Sequence, residues 1–439
     1  MFKTNCKIAI ALLPFLLTSS AVFAQGTDTP EIINGDNVPI PSKLTDTAYW
    51  HNQALSQSTG NLIQQIQQLT YPEVSAKGCW LLYHLKINDT LNVPYLVHIP
   101  RNYNPVKRTP LYVFLHGAAT RKTFGNSAAT AAAMEKVLEI PLKNAIILYP
   151  FARENFNWLF HQQAFEAIAE QIRQVKSRYN VNDNKVYIGG HSDGARGAFW
   201  FALNNSSQFA ACFGICYEPL LFTNTPLHNL RNAYFYSISA NNDVLFNNRQ
   251  VNQIFNYGRS VGANWYNYNV TGGHDLPFAS PDSIGFLFNN LMGRSRNTLP
   301  KRITYEVADV KNGRCAWLQV DALDTLQEAK NWVESYKLKV TQLGSQQEEA
   351  LNLTPSRYGA ITAEVKNNIV TIKTSRIKAL TIYALNGLFD ISKPITIKLN
   401  DDAPYTISLK ADNRFLADEF LKTADRQMLP LCKIALNVK

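Results

Sequence analysis

Apolar residues are distributed along this chain in three regimes. Between residues 111 and 270, short continuous apolar runs alternate with stretches whose apolar positions recur every three or four residues. The runs Leu111–Leu115, Ala145–Tyr149, Lys185–Ile188, Phe213–Tyr217, Ala233–Ser239 and Trp265–Val270 predict strands. The stretches Ala128–Glu139, Phe165–Tyr179, Ala195–Leu203 and Asn252–Val261 predict helices, and Ile168, Ile172 and Val175 mark the buried face of the second. A strand that is apolar at every position buries both faces. Its alternation with helices therefore predicts an α/β fold, a doubly wound, mostly parallel sheet covered on both sides. Upstream, Leu55, Leu62, Ile66 and Leu69 predict a helix over residues 45–70 that Pro72 closes. Residues 25–44 read as an extended lead-in. Two β-rich runs, Trp80–Ile87 and Tyr95–Ile99, are split by Asn88-Asp89-Thr90.

Beyond Pro300 the rhythm changes to short alternating runs: Ile303–Val310, Cys315–Val320, Ile369–Lys373, Ala379–Tyr383, Ile395–Leu399 and Thr406–Leu409. Asn312-Gly313 and Asn386-Gly387 supply turn signals between runs. This predicts a smaller, β-rich, sandwich-like C-terminal domain with one helix at Leu326–Val333. The expected organisation is a signal peptide at 1–24, a lead-in and helix at 25–78, an α/β domain at 79–298 and the β-rich domain at 299–439. The first segment rests on Lys3 and Lys7, the apolar run Ile8–Leu17 and the small-residue site Val22-Phe23-Ala24, with cleavage expected before Gln25. That run is too short for a stable membrane anchor, and no later segment has about 18 continuous apolar residues. The expected product is exported, periplasmic or secreted, and not an integral membrane protein.

Composition narrows the picture further. A chain that is 46 % hydrophobic and 17 % charged is not a disordered polymer. The net charge of +10 is spread over both halves with no basic stripe, so no nucleic-acid partner is expected. Five cysteines remain after cleavage (Cys79, Cys212, Cys216, Cys315 and Cys432). An odd count leaves at least one thiol free or bonded between chains. Cys212 and Cys216 sit in an apolar run and read as small buried hydrophobes. No phosphate-binding loop, HExxH or paired CxxC occurs, so no nucleotide, metal or other cofactor is expected. Nothing in the sequence reads on oligomeric state.

The chemistry concentrates in Gly190-His191-Ser192-Asp193-Gly194, a G-x-S-x-G set between a strand and a helix. In that setting the glycines allow a tight turn and Ser192 stands on strained backbone at a helix N-terminus, where developing negative charge is favoured. A serine hydroxyl needs a base. His274, in the Gly-rich loop Thr271-Gly-Gly-His-Asp275 after the strand Trp265–Val270, is the best placed of the eight histidines. His191, inside the turn, is expected to point away. The base needs an orienting carboxylate, for which Asp243 follows the strand Ala233–Ser239, with Glu218, one strand earlier, as the other choice.

With these motifs, residues 79–298 resemble the α/β-hydrolase superfamily, in particular secreted bacterial esterases of the dienelactone-hydrolase, phospholipase/carboxylesterase and feruloyl-esterase-like kind. The chain order Ser192, Asp243, His274 is the order of that fold. His116-Gly117-Ala118-Ala119 resembles its oxyanion loop, with Ala118 where a second glycine is common. The resemblance implies oxyanion donors at the backbone N–H of Ala118 and of Asp193. It also implies acyl transfer through a serine ester on a small-molecule or polymer-borne ester. Only about fifteen residues separate Tyr217 from the next strand, which leaves little room for a lid. Trp158 and Phe156, in the loop after Ala145–Pro150, are candidates to flank a substrate group; ordinary packing is the other reading. A serine peptidase of the prolyl-oligopeptidase type shares the triad order, but residues 25–78 are too few for its propeller. A non-catalytic glycan- or surface-binding protein on the same scaffold would carry a damaged triad, and all three residues are present.

Overall fold

Nine strands form the large sheet: β1 (Ile32–Asn34), β2 (Cys79–Lys86), β3 (Asn92–Ile99), β4 (Thr109–Leu115), β5 (Ile146–Pro150), β6 (Val181–His191), β7 (Ala211–Ile215), β8 (Tyr234–Ala240) and β9 (Asn264–Val270). The computed structural model describes residues 30–438 except 39, 41, 220, 222–224, 247, 276–280, 335–336, 342–347 and 353–357. The expected signal peptide lies outside the described residues.

The strand order is β1-β2-β3-β5-β4-β6-β7-β8-β9. β3 runs antiparallel to both neighbours, and every pair from β5 and β4 to β9 is parallel. The strands β4, β5 and β7 are almost wholly buried, which is why they read as continuous apolar runs. Helices Gln162–Arg178, Asp193–Asn204 and Asn248–Ser260 cover one face through Ile168, Phe199 and Ile254. Helices Ser127–Val137 and Pro281–Met292 cover the other through Ala131 and Leu287. From β4 the chain passes to β5 on one side and then to β6 on the other. The order therefore reverses between β4 and β6, and in open α/β sheets the crevice at such a reversal receives ligands.

The C-terminal part is a sandwich. It comprises β10 (Arg302–Val307), β11 (Arg314–Cys315), β12 (Leu318–Leu323), the separate hairpin β13 (Lys337–Thr341) and β14 (Glu348–Asn352), β15 (Gly359–Lys366), β16 (Ile369–Ser375), β17 (Ile377–Leu385), β18 (Ile395–Leu399), β19 (Tyr405–Ile407) and β20 (Pro430–Asn437). The sheets β10-β15-β16-β18-β19 and β11-β12-β17-β20 enclose one core that includes Tyr305, Trp317, Ile361, Val370, Ile382 and Ile434.

Three expectations are corrected. The helix over residues 45–70 is broken into Thr47–Ser56 and Thr59–Gln67. Ser58 stands between them in extended conformation, and its hydroxyl caps the second helix through the Asn61 N–H. Residues 326–333 form turns, not a helix. Their polar backbone bonds to β17 and its flank, with Arg376 donating to Gln327 O and the Lys330 N–H to Ser375 Oγ, and Leu326 is exposed. A helix not expected from the sequence occupies Asn413–Thr423. All five described cysteines are free, with Cys212 and Cys216 buried as read.

The two ends of the chain meet. Trp50, Leu62 and Ile66 from the early helices share a core with Leu416, Ala417 and Phe420 of the late one. Trp50 meets Phe420 edge-on at 5.1 Å, and His51 bonds Asp418 at 2.6 Å. A second seam is ionic and buried. Asp183, fully buried at the start of β6, pairs with Lys176 at 3.0 Å and with Arg426 at 3.2 Å. Arg296 holds Asp425 through two bonds of 2.5 and 3.1 Å. Burial alone would raise the Asp425 carboxyl, but Arg296 and Lys176 outweigh it and hold the group well below the usual carboxylate range. The sandwich is thus tied to the large sheet by charges that water does not screen.

Because a buried ion left without its partner is costly, Asp183→Asn is expected to destabilise the protein by about 3–5 kcal/mol in urea unfolding. Glu139→Gln, which breaks the exposed pair with Lys143, should leave the midpoint unchanged. Equal effects would refute the ranking.

Candidate active site

β4 and β6 are neighbours in register, Leu115 opposite Gly190, so the loops that follow them emerge side by side. After β6 the chain turns sharply into the helix Asp193–Asn204. Ser192 makes the turn at φ 57°, ψ −121°, a region that non-glycine residues rarely occupy. Its N–H donates to Ile215 O at 2.9 Å, which anchors the strained residue to β7. A Cβ at Gly190 or Gly194 would collide with the Leu115 carbonyl. The turn closes only because both positions lack side chains. Ser192 is 8 % exposed, more enclosed than the sequence reading expected. The reason is Gly117: a Cβ there would lie 2.9 Å from the Ser192 Cβ, so the loop after β4 packs directly on the serine.

That loop is held by an internal histidine. The Ala152 N–H donates to His116 Nε2 at 3.0 Å, which leaves Nδ1 to donate to Gly117 O at 2.7 Å. Burial pushes His116 down to about 4, so the ring is a neutral two-ended strut at pH 7. Ala118 then takes φ 50° and stays exposed. A left-handed alanine costs roughly 1–2 kcal/mol, which the fixed residues on either side offset. The Ala119 N–H donates to Asp193 Oδ2 at 3.1 Å, tying the loop to the residue after Ser192.

The loops after β8 and β9 bring His274 and Asp243 together, with His274 Nδ1 donating to Asp243 Oδ2 at 2.9 Å. The other carboxylate oxygen accepts the N–H groups of Leu245 and Phe246 at 2.9 and 3.0 Å. The Asp243 side chain is only 3 % exposed, so both oxygens are fixed. Glu218, the other candidate carboxylate, belongs to a different group. Its backbone carbonyl accepts Arg196 Nε at 2.8 Å, and Arg196 also reaches Asp193 Oδ1 at 3.4 Å. The Arg196 guanidinium lies 4.6 Å over Phe246, whose ring meets His274 edge-on at 5.3 Å.

His191 does not point away as expected. Its ring packs 4.6 Å from that of His274, and its Nε2–H donates to the His274 carbonyl at 3.1 Å. Burial and the neighbouring His274 lower it to about 4. Its place inside G-x-S-x-G was the available signal. Arg196 and Phe246 carried none, because their roles depend on loops from different strands. Trp158 and Phe156 are 2 % and 3 % exposed and cannot flank a ligand. Trp158 packs edge-on to His116 at 4.8 Å and fills the space that Gly197 leaves bare on the helix after Ser192. Of that segment, Phe160 is the exposed aromatic. Among the described residues no cluster of potential ligands could hold a metal ion, and no helix is long and apolar enough to cross a membrane.

No family model matches the chain, and no curated protein matches it. Its structural neighbours are esterases of the α/β-hydrolase superfamily at low identity. It is similar to a thermostable esterase over 49 % of this chain and 63 % of that one, at 22 % identity and a TM-score of 0.42, and so spans under two thirds of that protein's length. It is similar to an S-formylglutathione hydrolase from Agrobacterium tumefaciens over 50 % of this chain and 97 % of that one, at 14 % identity and 0.38. A third neighbour is an acylaminoacyl peptidase from Pyrococcus horikoshii, over 55 % and 44 %, at 15 % identity and 0.40.

Burial lowers His98, His116 and His191 each to about 4 from an ordinary 6.5. Each contributes stability that is present above pH 6.5 and is lost as pH falls toward 4, where the slope levels off. Every such group steepens that loss by up to about 1.4 kcal/mol per pH unit. Urea unfolding between pH 7 and 4.5 is expected to follow this trend, with a shallower slope in His191→Asn. An unchanged slope in the variant would contradict the burial argument.

Proposed function

We propose that this protein is an exported serine hydrolase that cleaves carboxylic esters, with Ser192 as nucleophile, His274 as base and Asp243 as its orienting acid. The observation that carries the reading is the His274–Asp243 bond, made by two loops that open beside the strained Ser192 turn. With Nδ1–H committed to Asp243, His274 keeps Nε2 as the basic nitrogen. His274 takes the Ser192 proton as the serine oxygen attacks the ester carbonyl. The carbonyl electrons move onto oxygen, where the N–H groups of Ala118 and Asp193 receive them. Collapse expels the alcohol, which leaves with the proton from His274. Water then repeats the sequence on the serine ester and releases the acid.

Each supporting group has a task in this scheme. The Asp243 carboxylate holds the tautomer and stabilises the imidazolium, and its bonds to Leu245 and Phe246 keep it from rotating. His191 and Phe246 fix the plane and height of the His274 ring. Asp193 serves twice, through its N–H and through the carboxylate that anchors Ala119. His116, neutral and bonded at both ends, keeps Gly117 against the serine.

A fluorophosphonate probe is expected to label the wild type and not Ser192→Ala. A folded wild type that resists labelling would overturn the assignment. Asp243→Asn is expected to lower kcat by roughly 10⁴-fold with KM little changed, because the amide favours the wrong imidazole tautomer. Full activity in that variant would remove Asp243 from the scheme.

A further inference from the structure

A cleft of about 250 Å³ opens at the opposite end of the helix that begins after Ser192. Its walls come from three parts of the chain: the helix end at Asn204 and Asn205, the sandwich segment from Lys311 to Gln319, and the stretch from Glu419 to Met428. The twelve-residue helix is roughly 18 Å long, so the cleft is separate from the Ser192 site.

The charges in it do not balance. Lys176, Arg296, Lys311, Arg314 and Lys422 face only two carboxylates, Glu419 and Asp425. Both are already engaged. Asp425 takes two bonds from Arg296, and Glu419 is 3.4 Å from Arg314. Lys176 is matched by Asp183. Lys311 and Lys422 have no opposite charge within ion-pair distance among the described residues, and they enter the cleft from different walls. Arg314 is already set in place. Its guanidinium stacks 3.3 Å over Tyr383 and donates from Nε to Ala316 O. A guanidinium so fixed loses little entropy when it binds an oxyanion. The remaining lining is mostly amide and hydroxyl, with Ala316 and Met428 as its apolar members and no aromatic platform. That composition suits charged oxygens and not the stacked face of a neutral sugar or an acyl chain. Cationic walls with low-dielectric protein behind them also concentrate field in the opening.

We propose that this cleft binds a small anion bearing two or more oxyanion groups, a phosphate ester or a polycarboxylate, bridged by Lys311, Lys422 and Arg314. The bound anion neutralises the excess positive charge and joins the sandwich to the helix of the large sheet. The site is independent of ester cleavage, so the two readings fail separately.

The test is calorimetric titration of the whole protein with inorganic pyrophosphate, with citrate and with glucose at low ionic strength. The wild type is expected to bind at least one anion saturably, more weakly as salt rises, and not to bind glucose. Preference for pyrophosphate assigns a phosphate ester, and preference for citrate a polycarboxylate. In the Lys311→Gln/Lys422→Gln double variant, whose changes are at exposed positions, affinity should fall at least tenfold while fluorophosphonate labelling at Ser192 is unchanged. Absence of saturable binding by the wild type, or equal binding by the variant, would overturn the proposal.

Discussion

The contact on which the site depends is between backbone and backbone. The turn at Ser192 closes against the last carbonyl of β4, and Gly190 and Gly194 leave no atom in the way. This contact sets the distance between the two strands' loops. It presses Gly117 onto the serine and lets the Ala119 N–H reach Asp193. A strained residue is kept in place only where its surroundings over-determine it. Here the β7 carbonyl that receives the Ser192 N–H, the helix that starts at Asp193 and the Gly117 loop together do so.

Around this contact the protein uses buried neutral imidazoles as rigid parts. His116 bridges two backbone segments, and His191 bridges the nucleophile turn to the His274 loop. Both are lowered to about 4 because burial disfavours the charged ring. Low pKa here serves geometry, since a ring that gained a proton would lose its acceptor nitrogen. His274 differs in having a carboxylate partner that accommodates charge. The contrast between one charge-supported histidine and two neutral supports is the electrostatic pattern of the site.

The sandwich is joined to the large sheet by interactions that would be costly to break singly. Asp183 and Asp425 are buried among Lys176, Arg296 and Arg426, and the early helices pack on the late one. Such a cluster gives little net stability against an apolar equivalent but resists partial loss. It therefore fixes the angle at which the sandwich meets the helix end, and with it the cationic cleft between them.

The α/β architecture was legible in the chain because its central strands are buried on both faces and so read as unbroken apolar runs. G-x-S-x-G was legible because the strained turn demands glycine at fixed offsets. Local physics, acting over fewer than about twenty residues, determined those features. The helix Asn413–Thr423 was hidden because its apolar face is completed by Trp50 and Ile66, more than 300 residues away in sequence. Residues 326–333 misled because their backbone bonds to the flank of β17 and not to itself. The pairing of His274 with Asp243, the inward ring of His191 and the burial of Trp158 were decided only by the tertiary structure. Each depends on where loops from different strands converge, and side-chain spacing along one element carries no record of that convergence.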